Sequence, residues 1–250
     1  MSDRGVSEAL GFVLVFALVT ATIGVVYATG ISSLHGAQQA EKVNNVERAF
    51  DVFADNVEDL HRSGTPSRAT EVKLAGGSLG TGEPVDIAVE AVEVGNPSKN
   101  ATYSVSFEPV VYEAESGTKL LYTGGAVVRS NSHGAVMLSE PGWIDGPNRS
   151  VIPLINSYGG AGSVGGEGAV LIVAQRKSRS LQGPFEAGAG STARVNVTVT
   201  SPRVTVWKRF MEDRGYDPVD ASIDNSNVTY QFETDTLYVP KTGVRVEFDR

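Results

Sequence analysis

Side chains that commonly do chemistry are scarce in this sequence. It contains no cysteine, which excludes disulfides, thiolate zinc sites and cysteine nucleophiles. The three histidines are His35, His61 and His133, and the spacing of the first two matches no local metal-binding motif. An HExxH motif and a P-loop are both absent. We therefore expect no catalytic residue, no metal or cofactor site, and no enzymatic activity.

Two further sequence patterns could suggest a binding site, but each has a simpler structural interpretation. The glycine-rich residues 158–170 (YGGAGSVGGEGAV) lack a following Lys-Ser/Thr and open no predicted helix, which favours a surface loop over a phosphate site. Asp51, Asp55, Glu58 and Asp59 carry oxygen ligands that a cation could use. Because they are spaced along a helix face, we expect them to face solvent instead.

Four Asn-Xaa-Ser/Thr sequons make Asn100, Asn148, Asn196 and Asn227 candidate N-glycosylation sites. Asn148 lies in the turn-rich segment EPGWIDGPNRS, so the sequence favours it as the best acceptor. The last two asparagines lie in or begin predicted strands, where their exposure depends on the face they occupy.

Composition narrows the class of protein. The formal net charge is −8, which argues against a nucleic-acid partner because phosphates require a Lys/Arg surface. Lysine is scarcer than arginine, with 7 residues against 14. An acidic, lysine-poor, cysteine-free surface suits a salt-loving organism, since hydrated carboxylates keep a protein soluble at high salt.

An uncharged apolar segment runs from Ala9 to Ile31 (ALGFVLVFALVTATIGVVYATGI). About 20 helical residues cross the hydrocarbon core of a bilayer, so this segment predicts a transmembrane helix. A buried core helix of a soluble protein is the alternative. A secretory signal fits poorly, because such signals have a shorter apolar region followed by a cleavage site.

The helical pattern continues beyond the apolar segment. From Ser32 to Arg62, apolar residues recur at steps of three and four and form one stripe. The residues of this stripe are Leu34, Ala37, Ala40, Val43, Val46, Ala49/Phe50, Phe53, Val57 and Leu60. Ser63-Gly64-Thr65-Pro66 then predicts the end of the helix. We therefore expect one long helix over residues 6–62, the first part spanning a membrane and the second amphipathic.

The N-terminal residues Arg4-Gly5, followed by VSEALGFVLVF and this long helix, resemble an archaeal type IV pilin. Together with RAFDVFADNVEDL and SRATEVKLAGGSLG, they more narrowly resemble a haloarchaeal pilin-like group of unknown function. The resemblance implies a class III signal, which a pilin-type signal peptidase cuts after Arg4 and Gly5 so that the mature chain begins at Val6. It also implies an assembly role for Glu8, but this residue would be third in the mature chain, whereas bacterial pilins carry their helix glutamate at the fifth position. An uncleaved signal anchor is the alternative, with Glu8 at the membrane surface.

The remainder of the chain, residues 63–250, predicts a β-rich domain. Short alternating segments recur between Gly-rich and Pro-rich turns, which is typical of a sandwich-like, mainly antiparallel fold. The predicted strands cover residues 84–94, 102–112, 119–129 with a Gly124-Gly125 hairpin, 135–138, 151–155, 169–174, 193–200, 228–232, 237–239 and 244–248. A turn is expected at 240–243. One helix is predicted from Ser201-Pro202 to Gly215, with Trp207 in the core.

These elements predict an α+β protein held in a membrane by one span, with its C-terminal domain outside the cell. Three functions are consistent with it. The first is a pilin-like structural subunit, whose partners would be the bilayer, a pilin-type peptidase and other pilin-like subunits. The second is a single-span surface protein whose β domain binds a ligand or an envelope partner. The third is an anchored extracytoplasmic enzyme, which the missing motifs disfavour.

Overall fold

A long helix, α1, opens the structure and runs from Asp3 to Arg62. The computed structural model describes residues 3–160, 162–220 and 226–250, without the side chains of residues 3–6 and 32. The helix ends where Ser63 donates its backbone N–H to the carbonyl of Asp59 at 3.0 Å and Gly64 takes a positive φ of 79°. Glycine adopts this conformation without the steric cost of a side chain. The predicted helix and its end are confirmed.

The chain divides into two compact units, Met1–Asn44 and Asn45–Arg250. The described residues of the first unit all belong to α1. The second contains the rest of α1, the strands and a short helix, α2, at Val204–Asp213. The fold is therefore α+β, with a long N-terminal helix followed by a mainly antiparallel β domain.

The strands of the described residues form three sheets. Their bounds are β1 Ser67–Lys73, β2 Ser78–Thr81, β3 Val85–Glu93, β4 Asn96–Phe107, β5 Val110–Glu113, β6 Lys119–Thr123, β7 Ala126–Asn131, β8 Gly134–Ser139, β9 Ser150–Val151, β10 Leu154–Gly159, β11 Val164–Gly165, β12 Ala169–Glu186, β13 Ala193–Thr200, β14 Asp217–Asp220, β15 Asn227–Thr234 and β16 Thr236–Asp249.

Sheet A has the order β1-β12-β16-β10, with β9 also beside β16. In it, β9 and β10 run parallel to β16, whereas the other pairs are antiparallel. Sheet B has the order β11-β2-β5-β6-β7-β8, and sheet C the order β14-β15-β13-β3-β4. Sheets B and C are antiparallel throughout their paired strands.

The main core lies on the inner face of sheet C. Alternate residues of β3 and β13 point into it, including the fully buried Val89 and Val197. Helix α2 covers this core with one apolar face, in which Trp207 is fully buried. Its ring packs 5.9 Å from the Trp143 ring and 6.1 Å from the Phe210 ring, centroid to centroid. The predicted core role of Trp207 is confirmed.

Some strand boundaries differ from those predicted from the Pro and Gly residues. The turn predicted at 240–243 is wrong, because β16 continues through Pro240 and Gly243. There β16 is paired with β12 on one side and, from Lys241, with β10 on the other. Pairing with both neighbours outweighs the local tendency of Pro and Gly to turn the chain.

The single strand predicted over 102–112 is interrupted. Strand β4 ends at Phe107 and pairs in sheet C, whereas β5 begins at Val110 and pairs in sheet B. Pro109 lies between them and has no backbone N–H for a ladder. The strand predicted over 151–155 is similarly divided between β9 and β10. The strand predicted over 169–174 is longer than expected, because β12 continues to Glu186.

Helix α2 begins later than predicted. Ser201 precedes it and accepts a hydrogen bond from the Arg203 N–H on its hydroxyl at 3.1 Å, while Arg203 is the N-cap residue. Ser201-Pro202 therefore forms a turn rather than the first helical residues. The helix ends before Gly215, which has a positive φ of 74° as expected of a C-terminal glycine.

Candidate functional site: the apolar part of the N-terminal helix

The first part of α1 presents an apolar surface that the chain itself does not cover. The large apolar side chains between Leu10 and Ile31 are exposed, from 39% at Ile31 to 72% at Phe12. Soluble proteins seldom leave a continuous apolar surface of this extent in water. Within the described residues, α1 is the one helix long and apolar enough to cross a membrane.

The threonine side chains in this segment are satisfied within the helix. The hydroxyls of Thr20, Thr22 and Thr29 each donate to the carbonyl four residues earlier at 2.8 Å. A helix also satisfies its own backbone groups, apart from its ends. The backbone and the threonines of this segment therefore have no hydrogen-bonding requirement that only water could meet, which suits a helix in lipid.

Glycines leave local recesses on this surface. A Cβ added at Gly11, Gly24 or Gly30 would meet no other atom within 4 Å. Such positions accept larger side chains in an isolated chain. They also allow a neighbouring helix to approach closely.

The predicted processing residues Arg4, Gly5 and Val6 lie in the first turns of α1, and their side chains are outside the described part. Glu8 is exposed near the start of the apolar segment. A peptidase that holds its substrate extended would have to unwind this first turn. Processing at Gly5 and a role for Glu8 in assembly both stay predictions.

The last turns of α1 belong to the β domain and are held firmly by it. Phe50, Phe53 and Leu60 are fully buried, and the Phe53 ring packs edge-on against the Tyr122 ring of β6 at 5.0 Å. Arg176 of β12 donates to the carbonyl of Leu60 at 3.3 Å. The predicted apolar stripe is thus a core surface from Val46 to Leu60.

Two of the four acidic side chains on these turns, Asp51 and Asp59, bond to residues of the strands. Asp51 accepts a hydrogen bond from the Ser139 hydroxyl at 3.0 Å. Asp59 pairs with Arg68 at 3.1 Å, and Glu58 pairs with Arg62. Asp55 is exposed. Among the described residues, no group of three or more His, Asp or Glu side chains could hold a metal ion.

His61 is buried at the end of α1, at 6% exposure. Its Nδ1 lies 2.9 Å from the Thr242 hydroxyl of β16. Burial, together with the nearby charges of Arg179 and Arg62, lowers the pKa of His61 from 6.5 to about 4. This histidine therefore remains neutral at physiological pH, as a structural group that joins α1 to sheet A.

The structure does not bring the other two histidines into one site with His61. His35 lies in the first unit, and His133 is exposed in the turn between β7 and β8. Residues 76–80 (GGSLG) fit the GxSxG pattern of serine hydrolases. However, Ser78 lies in β2 between β5 and β11, rather than on the strand-to-helix turn of a serine hydrolase.

The described residues of the glycine-rich segment 158–170 contain more strand than the predicted surface loop. They include the end of β10, all of β11 and the start of β12, and Gly160 donates its N–H to the Val246 carbonyl at 2.7 Å. The segment leads into a strand and not into a helix, so it lacks the helix N-terminus of a phosphate loop.

A cluster that sequence reasoning missed surrounds Arg214, just after α2. Its guanidinium bonds to the Trp143 carbonyl at 3.2 Å, to Glu140 at 3.1 Å, and to Asp145. Burial and the charge of Asp145 raise the pKa of neighbouring Tyr216. Each charge has a partner, so the cluster fixes the loop before β9 against α2.

A groove of about 490 Å³ lies beside this cluster, between β8 and α2. Val136, which is 43% exposed, and Phe210 form part of its apolar wall, whereas Glu140, Arg209 and Asp213 supply charged groups. Its size and mixed lining suit a small ligand or a short peptide segment.

The four sequons differ in what they expose. Asn100 is exposed in β4, and Asn148 is exposed in the loop before β9. Asn196 in β13 and Asn227 in β15 are half-buried. In the Asn148 sequon, the Ser150 hydroxyl is fully buried and bonded to the Gly146 carbonyl at 3.2 Å.

The fold and the apolar helix define a class: a protein with one helix able to span a membrane and an antiparallel β domain, compatible with single-pass membrane anchoring. The chain belongs to DUF7289, a family of unknown function, which matches residues 4–247. The match includes the apolar helix, so the helix is part of the family's architecture. No curated protein and no solved structure matches the chain.

Proposed function

We propose that this protein is a pilin-like structural subunit, major or minor, of an archaeal type IV pilus-like system, anchored in the cell membrane before assembly. The exposed apolar surface of α1 carries this proposal. Such a surface requires lipid in the free subunit and neighbouring apolar helices in a filament.

Several features of α1 are suited both to lipid and to packing against other helices in a filament. The back-bonded threonines make the segment suitable for lipid. The open recess at Gly24 suits close packing with another helix. The resemblance of residues 4–16 to archaeal pilins adds the expected peptidase cut after Gly5.

The proposed orientation places the C-terminal domain outside the cell. With one span, either the short leader or the large domain must cross the membrane, and we propose that the short leader stays inside. Asp3 offsets the charge of Arg4, so the positive-inside rule adds little to this choice. The partners are then the bilayer, a pilin-type signal peptidase and other pilin-like subunits.

The second candidate is a single-span surface protein whose β domain binds a ligand or an envelope partner. The groove between β8 and α2 is the observation that favours it. In this case the apolar helix stays in the bilayer and never enters a filament.

Gly24→Leu separates the two candidates. A Cβ at position 24 has open space around it and leucine preserves hydrophobicity, so membrane insertion should be normal. In a filament, the larger side chain should prevent a neighbouring helix from approaching closely, and incorporation into filaments should fall. Val26→Leu, at an already bulky exposed position, is the matched control.

Membrane content and sheared surface filaments should both be measured in cells that make each variant. Loss of filament incorporation with normal membrane content for Gly24→Leu, but not for Val26→Leu, supports the subunit. Absence of the wild-type protein from sheared filaments, with Gly24→Leu unchanged in level and location, supports the single-span binding protein.

A further inference from the structure

Three of the four sequons lie on one face of sheet C. Asn196 of β13 is opposite Gln231 of β15 and Glu90 of β3, and Glu90 is opposite Thr102 of β4. Opposite residues in a sheet point to the same side, as do residues two apart along a strand. Asn100, Asn196 and Asn227 therefore share a face.

This face points away from the core. The residues between each Asn and Thr of the β13 and β15 sequons, Val197 and Val228, are fully buried on the opposite side. Most of the outer side chains are short and polar, and all of them are exposed or half-buried.

The sequons on this face differ in how accessible they are to a modifying enzyme. Thr198 and Thr229, the hydroxyl residues of the β13 and β15 sequons, bond to each other at 2.9 Å and are half-buried. Asn196 lies in a strand paired on both sides, with its Oδ1 buried and without a hydrogen-bond partner. An enzyme cannot enclose this segment without opening the sheet.

The Asn100 sequon, in contrast, lies at the edge of the sheet and is exposed. Strand β4 ends the order of sheet C, and its residues 96–100 are all exposed. Asn100 and Thr102 are both exposed, a combination that none of the other three sequons has. This site can therefore enter a transferase in an extended form after the domain has folded.

We infer that Asn100 carries an N-linked glycan on the folded protein, and that the central sequon at Asn196 does not. The inference rests on the outside location of the domain under the proposed function. It also replaces Asn148 as the preferred acceptor, because the hydroxyl of Ser150 in that sequon is fully buried.

The reaction is a transfer from a lipid phosphate-linked oligosaccharide. The Asn100 Nδ2 forms a bond to the sugar C1, the C1–O bond to phosphate breaks, and the phosphate leaves with the electron pair. One amide proton passes to a base of the transferase. The remaining N–H can keep the bond that Nδ2 now donates to the Pro97 carbonyl at 2.9 Å.

A glycan here would also protect the sheet. A long exposed edge strand offers unpaired backbone groups to other chains. A bulky, hydrated group at Asn100 obstructs such pairing. The sheet C face would then stay in solvent, and contacts between subunits would use other surfaces.

The test is peptide mass spectrometry of the full-length protein isolated from the cells that naturally make it. Cleavage after glutamate gives residues 94–108, which contain Asn100. The same peptide contains Asn96, whose Asn-Pro-Ser sequence is not an acceptor because of Pro97. We expect a glycan mass on Asn100 and none on Asn96 or Asn196.

Variants make the assignment specific. Asn100→Gln and Thr102→Ala should remove the glycan from this peptide, whereas Thr102→Ser should retain it. Asn196→Gln should leave the glycan content of the protein unchanged. An unmodified Asn100, or a modified Asn196, overturns the inference.

Protease digestion of intact cells separates this failure from that of the proposed function. A domain that is cleaved from outside but unmodified at Asn100 overturns the glycan site alone. A domain that is shielded until cells are broken overturns the proposed orientation, and the glycan site with it.

Discussion

His61 and Thr242 are 181 residues apart in the chain, yet the imidazole Nδ1 and the threonine hydroxyl oxygen lie 2.9 Å apart. Both side chains are buried, so the hydrogen bond is shielded from water. It joins the last turn of α1 to β16, a central strand of sheet A. The contacts that attach α1 to the β domain therefore include a titratable side chain.

Stability should fall below pH 6.5 because of His61. Its pKa is about 4 in the folded protein and 6.5 as an ordinary value, so between these values the unfolded chain binds more protons. The free energy of unfolding should therefore decrease as pH falls through this window, by up to about 3 kcal/mol at roughly 1.4 kcal/mol per pKa unit. Denaturant unfolding at several pH values in detergent measures this.

His61→Gln should flatten that part of the profile, at a cost of about 1 kcal/mol near pH 7 from the altered hydrogen bond. The raised pKa of Glu58 acts in the opposite direction, because burial favours its protonated form in the folded state. The difference between variant and wild type removes this contribution. His133→Gln, in an exposed turn, is the control, and a wild-type slope in His61→Gln would contradict the prediction.

Phe53→Ala should destabilise the domain by about 3–5 kcal/mol, because it removes a fully buried ring packed on Tyr122. The neighbouring Val52 is 52% exposed, so Val52→Ala should change the free energy of unfolding by no more than about 0.5 kcal/mol. Thermal or denaturant unfolding of both variants checks this. Equal effects would mean that the α1 face is not seated as described.

Val19→Lys should impair membrane insertion. It places an ammonium near the middle of the apolar segment, at a cost of about 2.5–3.5 kcal/mol. The amount of protein in carbonate-washed membranes measures the effect. Asp55→Asn is the charge-change control; Asp51 is unsuitable because it bonds to Ser139.

Removal of residues 1–31 should release the protein into the soluble fraction, since this deletes the exposed apolar surface and leaves the domain's buried stripe intact. Ultracentrifugation of cell lysates makes the comparison. A full-length chain that is soluble without detergent and without aggregation would end the anchor interpretation.

Gly5→Asp should block processing and leave residues 1–5 on the chain, because a small, flexible residue next to the scissile bond gives a peptidase access. Mass spectrometry of the mature N-terminus should show Val6 first in the wild type. A surface-located wild-type protein that retains its leader would instead be a simple signal anchor.

The sequence alone was sufficient for the features that depend on local pattern. The period of the apolar residues in α1, the Ser63–Pro66 terminator and the Gly124-Gly125 hairpin predict their elements correctly, because each is specified by neighbours a few residues away. The alternation in β3 likewise predicts a half-buried strand, and the structure buries its Val85, Ile87, Val89 and Ala91.

Tertiary structure decided the rest, because those features depend on partners far away in the chain. Pairing with β12 at Pro240, and with both β12 and β10 from Lys241, continues β16 through the Pro and Gly residues. Packing of α1 against β16 makes His61 a buried neutral group. Sheet order decides that Asn100 lies on an edge while Asn196, with the same motif, lies in the centre. A motif specifies its own residues, but only packing determines which of its atoms meet solvent.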